Sequence, residues 1–374
     1  MRLLICAGGT GGGVYPALAV HQALKDLNPP QLETLWVGGE GGMEAELVQR
    51  AGIPFQAIPA AGVHGVGWRA IPGNLARLSQ GYRASTRLLK DFRPEVLFFT
   101  GGYVSAPMVL AGRLAGRARP KSVIYVPDIE PGLALKFASR FADEITVTTT
   151  DSRKYFRPNA RVTTTGYPVR NDLLSWTRSQ ARAAFELTED VPVLLVFGGS
   201  KGARSINLAV VNVLEQLLPE MQVLHISGSL DWETVSAAAD RLPPPLAGRY
   251  RVYPYLHEKM GAALRAADLV LSRAGASTLG EFPLFGLPAV LVPYPYAWRY
   301  QQMNAEFLAA HGAARILADQ ELPERIVPTL LELVRAPELR AQMRSQMQQL
   351  AQPEAAHHIA GVITYQAQHR GGGE

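Results

Sequence analysis

The chain has 374 residues, of which 47% are hydrophobic, and it carries a formal net charge of +5 with a pI of about 9.3. A single cysteine, Cys6, excludes an internal disulfide and fits a reducing compartment. The N-terminal apolar run is too short for a signal peptide, and no run of 18 apolar residues predicts a transmembrane helix. The positive charge suits an anionic partner, but zinc spacings and aromatic RNA-binding motifs are absent, so we expect no nucleic-acid partner.

The opening stretch "RLLICAGGTGGGVYPALAV" predicts a strand, a glycine-rich turn and a helix. Residues 3–6 suit a buried parallel strand, and we expect a helix from Pro16. Such a turn aims backbone N–H groups at the carboxyl edge of the sheet, where phosphates bind, although it can also be purely structural. Val14 breaks the dinucleotide-binding fingerprint, and no Gly-Lys-Ser/Thr follows to make a P-loop.

The same layout returns near residue 192, in "VPVLLVFGGSKGARSINLAVVNVLEQLL". Strand-like and helix-like segments alternate after both stretches, which predicts an α/β fold with two Rossmann-like domains facing each other across a cleft. We expect an N-terminal domain over residues 1–165 and a C-terminal domain over 175–335. The remaining segment, 336–374, reads as helix and is expected to pack back towards the N-terminal domain.

The stretch "SRAGASTLGEFPLFGLPAVLVPY" predicts a second binding turn. Arg273 ends a strand, a small-residue turn follows, and a short helix closes at Gly286. Thr278 and the nearby backbone could take up phosphate, and Glu281 could hold the two hydroxyls of a ribose. A carboxylate in the first turn of a helix can equally complement the helix dipole without any ligand.

Two further segments carry polar groups suited to the same ligand. Ser200 lies in a second glycine-rich turn, "GGSKGA", which could bind an anion in the same way as the first. Alternatively, Ser200 only caps a helix. Gln301 and Asn304, in "YQQMNAEF", are amides suited to sugar hydroxyls, although glutamines on a helix are usually solvated.

Six motifs in register resemble the MurG family of UDP-N-acetylglucosamine transferases over nearly the whole chain. They are "GGTGG…PALAV", "GGYVS.P", "G.PVR", "GGS.GA", "SRAGA.T..E…GLP…VP" and "Q..NA". The resemblance implies the GT-B fold and inverting transfer of N-acetylglucosamine from UDP-GlcNAc to undecaprenyl-pyrophosphoryl-MurNAc-pentapeptide (lipid I). The product would be lipid II for peptidoglycan synthesis, and hence for cell shape and division. No cofactor is implied, and without an Asp-x-Asp motif we expect no dedicated metal site.

The resemblance also implies roles for individual residues. In the second domain, the Leu256 backbone would read uracil, Glu281 would hold ribose, Gln301 would bind the sugar, and Arg170 would reach the nucleotide from the interdomain linker. The donor diphosphate would lie against Ser200 and the turn formed by Ala276, Ser277 and Thr278. Leu279 and Gly280, which follow this turn, are further substrate-binding candidates. In the first domain, Thr10, Gly11 and Gly12 would hold the acceptor's diphosphate or border the transferred sugar.

The chain departs from the family pattern mainly on the acceptor side. Gly13 replaces the histidine of Gly-Gly-His, a favoured candidate for the general base, and "YVPD" replaces His-Glu-Gln-Asn. Asp128, with Glu130 just beyond, is therefore our candidate base, although it could instead bind a hydroxyl or cap a helix. Tyr300 stands where His or Gln is usual. The chain could thus be a MurG-like transferase with another lipid-linked or natural-product acceptor, or a non-catalytic sugar-nucleotide-binding relative; an NAD-dependent dehydrogenase is disfavoured.

Residues 74–90 predict a helix that could lie on an anionic membrane surface. Leu75, Leu78, Tyr82 and Leu89 recur at roughly helical spacing, and the cations that flank them are Arg77, Arg83, Arg87 and Lys90. Trp68, just before this helix, could dip into the interface. The alternative is an amphipathic core helix with solvated arginines. Because the family acts on a lipid acceptor, we expect peripheral attachment to the cytoplasmic face of the bacterial cell membrane.

Overall fold

The computed structural model describes residues 1–8, 11–27, 31–42, 44–61, 71–116, 119–199, 202–296 and 299–369. The chain forms two compact units, Met1–Val169 with Pro353–Glu374, and Arg170–Gln352. The change from one unit to the other falls within the interval 165–175 that the sequence predicts as a linker.

The first unit alternates strands and helices. Its elements in chain order are β1 (Arg2–Cys6), α1 (Gly11–Asp26), β2 (Glu33–Gly39), α2 (Glu44–Arg50), β3 (Phe55–Ile58), α3 (Ile71–Phe92), β4 (Val96–Phe99), α4 (Ser105–Arg113), β5 (Lys121–Val126), α5 (Leu133–Ala138), β6 (Glu144–Val147) and β7 (Val162–Thr164).

The first unit's seven strands are parallel and ordered β3-β2-β1-β4-β5-β6-β7. Apolar runs such as "VLFF" in β4 are buried throughout, as expected for strands covered on both faces. The strand order reverses direction between β1 and β4. The loops that follow these two strands therefore meet at the switch point, where open α/β sheets bind their ligands.

The second unit repeats this plan. Its elements are α6 (Arg178–Ala183), β8 (Val193–Phe197), α7 (Arg204–Val211), α8 (Leu214–Leu217), β9 (Gln222–Ile226), α9 (Trp232–Asp240), α10 (Pro244–Ala247), β10 (Tyr250–Tyr253), α11 (Met260–Ala266), β11 (Leu269–Ser272), α12 (Glu281–Phe285), β12 (Ala289–Leu291), α13 (Tyr300–Ala310), β13 (Ala314–Ile316), α14 (Leu322–Arg335) and α15 (Pro337–Gln349). The parallel order β10-β9-β8-β11-β12-β13 places the switch point between β8 and β11.

The C-terminal segment predicted over 336–374 divides between the two units. Helix α15 belongs to the second unit, and the last helix, α16 (Ala355–Gln368), belongs to the first. There α16 packs on α1 and β5 and buries Ile359, Ala360 and Ile363. Pro353 stands in the short non-helical stretch between the two helices, and it is the sequence signal that could have separated them.

Helix α1 begins five residues before the predicted Pro16, so Gly11, Gly12 and Gly13 lie in its first turn rather than in a loop. Glycine is a poor helix former, which is why the sequence favoured a turn. Tertiary contacts outweigh this preference, because the Thr100 hydroxyl donates to the Gly13 carbonyl oxygen at 2.6 Å.

Helix α3 confirms the predicted helix, but its apolar stripe is partly core. Leu89 is 8% exposed within the core of the first unit, and Tyr82 packs against that core. Leu75, in contrast, is 54% exposed. The predicted four-residue lipid-facing stripe is therefore wrong at its C-terminal end, and Trp68 lies outside the described residues. Across the ranges that the structure describes, none of the helices has the length and apolar content needed to span a bilayer.

Candidate functional site

The glycine turn after β8 rests on the end of β9. Gly202 has a φ of +80°, and a Cβ there would lie 2.1 Å from the Ser227 carbonyl oxygen. Glycine is therefore required at this position by both conformation and space. Ser200, predicted to meet a diphosphate, lies outside the described residues.

A buried polar network holds the strand end that supports this turn. The Asn207 side-chain amide on α7 donates to the Ser227 carbonyl oxygen at 2.8 Å and to Asp231 at 2.9 Å. The Asn207 oxygen is 3.0 Å from His225 Nε2, and His225 Nδ1 is 2.8 Å from the Tyr250 hydroxyl. Burial lowers the pKa of His225 to about 3, so the imidazole is neutral, with Nε2–H donating to Asn207. Sequence reasoning missed this network; its one signal is a histidine inside an apolar strand.

Arg273 follows β11 as predicted, and its guanidinium donates hydrogen bonds to other groups of the protein. It donates to Asp319, to the Val292 carbonyl oxygen at 3.1 Å and to the Ser205 hydroxyl at 2.7 Å. The Ser205 hydroxyl in turn donates to Asp319 at 2.8 Å. Since Ser205 lies in the first turn of α7, Arg273 ties the loops after β11 and β12 to the helix that follows the glycine turn.

The small-residue turn after β11 forms a 3-10 helix, Ala276–Leu279, followed by α12. The Thr278 hydroxyl donates to the Gly275 carbonyl oxygen at 2.7 Å, so its hydrogen is used to hold the turn. Asn304, on α13, donates to the Ala274 carbonyl oxygen at 3.1 Å. An anion at this turn would therefore be bound by the backbone N–H groups at its start and not by the threonine hydroxyl.

Leu279 and Gly280 are buried and join this turn to α12. The short helix ends at Gly286, with a φ of +57°, where the sequence predicts its end.

Glu281 is the first residue of α12 and has a strongly shifted pKa. Burial raises the pKa of its carboxyl to about 7, against the opposing charge of Arg170 and a hydrogen bond from Ser277; Asp172 adds to the rise. Arg170 also pairs with Asp172 at 3.5 Å. Glu281, Arg170 and Ser277 are thus three predicted site residues that the structure brings together.

Close packing against α11 positions the segment that carries Arg170. A Cβ at Gly261 would lie 2.3 Å from the Leu173 carbonyl oxygen, so only glycine lets this segment approach. Leu256, in the loop before α11, is 8% exposed. Gln301, in the first turn of α13, accepts the Tyr294 N–H at 2.9 Å through Oε1, so its amide N–H groups are those suited to a hydroxyl oxygen.

The shifted pKa of Glu281 predicts a pH-dependent stability. The folded-state pKa of about 7 lies above the ordinary value of 4.5, so Glu281 destabilises the folded state increasingly as pH rises from 4.5 through 7. We expect Glu281→Gln to raise the free energy of unfolding by roughly 2–3 kcal/mol at pH 8 and to change it little at pH 4.5. Urea unfolding of both proteins across this range measures the difference; a difference that does not grow with pH would contradict the shifted pKa.

At the switch point of the first unit, the turns after β1 and β4 are in close contact. A Cβ at Gly102 would lie 2.8 Å from the Gly8 carbonyl oxygen, and one at Gly13 would lie 3.2 Å from the Thr100 carbonyl oxygen. A side chain at position 13 would thus press on the Thr100 carbonyl oxygen, which would have to shift by a few tenths of an ångström to admit it. Thr10 lies outside the described residues.

Asp128 lies two residues beyond β5, at the carboxyl edge of the sheet, as predicted. The Tyr125 hydroxyl is 2.8 Å from the Thr148 hydroxyl, which donates to the Pro127 carbonyl oxygen at 2.8 Å and so holds the backbone beside Asp128. Burial, with a contribution from the charge of Asp128, raises the pKa of Tyr125 well above its ordinary value. Two strand spacings, about 10 Å, separate the ends of β5 and β1.

Two parallel-sheet units with glycine turns at their switch points, one of them carrying Glu281 beside Arg170, define a two-domain α/β protein of the doubly wound type. Residues 3–147 match the glycosyltransferase family 28 N-terminal domain, and residues 193–359 match the glycosyltransferase family 28 C-terminal domain. The chain belongs to glycosyltransferase family 28.

Relatives support this membership over nearly the full length. A UDP-N-acetylglucosamine–N-acetylmuramyl-(pentapeptide) pyrophosphoryl-undecaprenol N-acetylglucosamine transferase from Roseiflexus sp. (strain RS-1) is 39% identical, covering 97% of this chain and 94% of the relative. The enzyme of the same name from Desulforudis audaxviator is 39% identical, with coverages of 97% and 98%. The crystal structure of Acinetobacter baumannii MurG has 29% identity and a TM-score of 0.77, with coverages of 97% and 99%. The predicted α/β class with two Rossmann-like domains of the GT-B type is confirmed, as is the resemblance to the MurG family.

Proposed function

We propose that this chain transfers N-acetylglucosamine from UDP-GlcNAc to the muramyl sugar of undecaprenyl-pyrophosphoryl-MurNAc-pentapeptide, giving lipid II. The observation that carries this proposal is the 39% identity, over nearly the whole chain, to relatives that bear this transferase's name. Complementation of a bacterium depleted of its own enzyme tests it: this chain should restore growth, and failure with a stably expressed protein would count against this acceptor.

The donor is proposed to bind the second unit. Glu281 would accept hydrogen bonds from the ribose hydroxyls, with Arg170 close enough to influence its charge. The N–H groups at the start of the turn from Ala276 to Thr278 would meet the diphosphate, with Ser200 as a further contact. The Leu256 backbone would face uracil, and the Gln301 amide would donate to a sugar oxygen. Arg273 is not included, because its guanidinium is bonded within the protein.

The reaction requires a base and a stabilised leaving group. Asp128 is proposed to take the proton from the acceptor hydroxyl as that oxygen bonds to the anomeric carbon with inversion. The bond from the anomeric carbon to the diphosphate oxygen breaks at the same time, and its electron pair leaves with UDP. Backbone donors at helix starts stabilise the charge that develops on UDP. The start of α1, from Gly11 and Gly12, would hold the acceptor's diphosphate, together with Thr10.

Membrane contact through α3 is part of this proposal, because the acceptor is a lipid. Arg83, Arg87 and Lys90 are exposed and recur at i, i+4 and i+7, which places them on one side of the helix. Arg77 and Leu75 are exposed closer to its N-terminal end. An exposed cationic helix of this kind would hold the protein peripherally on an anionic surface, at the cytoplasmic face of the cell membrane.

Replacing Arg77, Arg83, Arg87 and Lys90 together by glutamine should abolish most binding to vesicles that contain anionic lipid. Each cation near the surface contributes about 1 kcal/mol, and the attraction should weaken at high salt. Sedimentation with vesicles measures the bound fraction. The matched control removes four exposed cations elsewhere in the same unit, Arg140, Lys154, Arg157 and Arg161. Equal loss in both variants would show a general charge effect, and unchanged binding of the α3 variant would contradict this face.

A different acceptor is the second candidate, and the departures at Gly13, Asp128 and Tyr300 favour it. It predicts that UDP-GlcNAc binds and raises the melting temperature, that NAD does not, and that lipid I is not glycosylated. A thermal-shift assay and a transfer assay together separate this case from a non-catalytic relative that only binds the donor. Both proteins would be stabilised by UDP-GlcNAc, but only the active enzyme would glycosylate some other lipid-linked or natural-product acceptor.

A further inference from the structure

Glu44 is a buried carboxylate for which the proposed chemistry has no use. It is the first residue of α2, is 1% exposed, and accepts the Gly39 N–H through Oε1 at 2.9 Å. It follows β2, the strand beside β1 in the sheet. A carboxylate buried this deeply at the carboxyl edge of a sheet needs a reason, because desolvating it is costly.

Three glycines lie around this carboxylate. A Cβ at Gly8 would be 2.3 Å from Oε1, and one at Gly42 would be 2.3 Å from both carboxylate oxygens. A Cβ at Gly38 would be 2.8 Å from Oε1. These distances are shorter than real Cβ contacts, so the end of β1, the strand β2 and the turn before α2 are all shaped around the Glu44 side chain.

Gly8 matters because it is the last described residue before α1. It packs against Glu44 and also against Gly102 in the turn after β4. On the other side, the first residues of α1 are held by the Thr100 hydroxyl, which donates to the Gly13 carbonyl oxygen. The backbone is therefore held both at Gly8 and at the start of α1, and Glu44 provides the contact at Gly8.

We propose that Glu44 is a positioning residue for the acceptor's diphosphate, because its carboxylate sets the backbone at Gly8 from which the chain enters α1. This inference rests on the proposed function, since Gly11 and Gly12 are the residues assigned to that diphosphate. The ligand class is a prenyl-linked sugar diphosphate, and Glu44 acts on it through the backbone without touching it.

Whether acceptor binding weakens or tightens when Glu44 is replaced distinguishes a positioning role from simple electrostatic repulsion. A buried negative charge near an anion site repels the anion, so its neutralisation alone would tighten acceptor binding. Loss of a positioning contact weakens binding instead, because misplacing donor groups by about 1 Å can reduce activity by a factor of the order of 10².

The test is Glu44→Ala, which removes the carboxylate that packs against Gly8 and accepts the Gly39 N–H. Its affinity for a soluble lipid I analogue with a short prenyl chain, measured by calorimetry, should fall about tenfold or more. Glu44→Gln keeps the side-chain size and an oxygen for the Gly39 N–H, so it should not lose affinity. Affinity for UDP-GlcNAc should stay at the wild-type value, because that ligand is assigned to the second unit. The matched control is Glu46→Ala, on the same helix, where the Glu46 side chain is 74% exposed and pairs with Arg50; it should behave as wild type.

A second set of variants tests the glycines. Gly42→Ala should lower acceptor affinity as Glu44→Ala does, because its Cβ displaces the carboxylate. In a Glu44→Ala background the added Gly42→Ala should have little further effect, since the clashing atoms are gone, so the two changes should be strongly non-additive. Additive effects, or unchanged or tighter acceptor binding by Glu44→Ala, would overturn the assignment alone. Wild-type protein that does not bind the analogue would overturn the proposed function and this assignment together.

Discussion

Asp128→Asn should lower turnover by about 10²–10⁴, the usual contribution of a positioned general base. The amide keeps the size of the carboxylate but cannot accept the acceptor's proton. Donor affinity should remain near the wild-type value, because the UDP-GlcNAc contacts are assigned to other residues. Steady-state transfer with lipid I, beside calorimetric UDP binding, measures both quantities.

Glu130→Gln is the comparison that makes this test specific. Glu130 follows Asp128 by two residues, so both carboxylates belong to the same loop after β5. If Asp128 is the base, Glu130→Gln should keep most of the activity. Wild-type turnover in Asp128→Asn would show that Asp128 only binds a hydroxyl or holds its loop, and a large loss in Glu130→Gln alone would transfer the assignment to Glu130.

Glu281→Ala should weaken UDP binding by roughly 1–3 kcal/mol, or about 5- to 150-fold, because the ribose hydroxyls lose a charge-assisted acceptor. Glu233→Ala is the matched control, since Glu233 is an exposed acid in the first turn of α9 in the same unit. Equal UDP affinity in wild type and Glu281→Ala would remove Glu281 from the donor site.

The pKa of Glu281 gives this donor contact a pH dependence. With a pKa of about 7 in the free protein, the carboxyl is mostly protonated at pH 6 and mostly ionised at pH 8. Ribose hydroxyls that donate to the carboxylate favour its ionised form, so UDP affinity should rise several-fold over this interval. Glu281→Gln should flatten the profile, whereas a profile equally steep in the variant would point to another titrating group, such as the diphosphate itself.

The parallel-sheet plan was readable from the sequence because most strands are short apolar runs, and glycines follow several of them, as after β1, β4, β8 and β11. The end of α12 at Gly286 was predictable for the same local reason, since a left-handed cap favours glycine. The start of α1 was not, because glycine's low propensity argues against a helix that tertiary contacts to Thr100 nevertheless hold.

Side chains whose roles depend on distant partners were also beyond sequence reasoning. Glu44 looks like an ordinary residue at a helix start, and only the fold brings it against Gly8 from another strand. Leu89 fits an amphipathic pattern, but the pattern cannot tell whether the apolar side of the helix faces a membrane or the protein core. The structure places Leu89 in the core. Arg273 was predicted only to end a strand, and the structure alone shows that it donates to Asp319 and Ser205.

Transfer of radiolabelled N-acetylglucosamine from UDP-GlcNAc to lipid I, followed in the extracted lipid, tests the central claim most directly. The account predicts labelled lipid II with the β linkage that inversion of the donor's α linkage requires. It also predicts one UDP released for each sugar transferred, and a rate that collapses in Asp128→Asn. UDP-GlcNAc binding without any labelled lipid would contradict the proposed transferase activity.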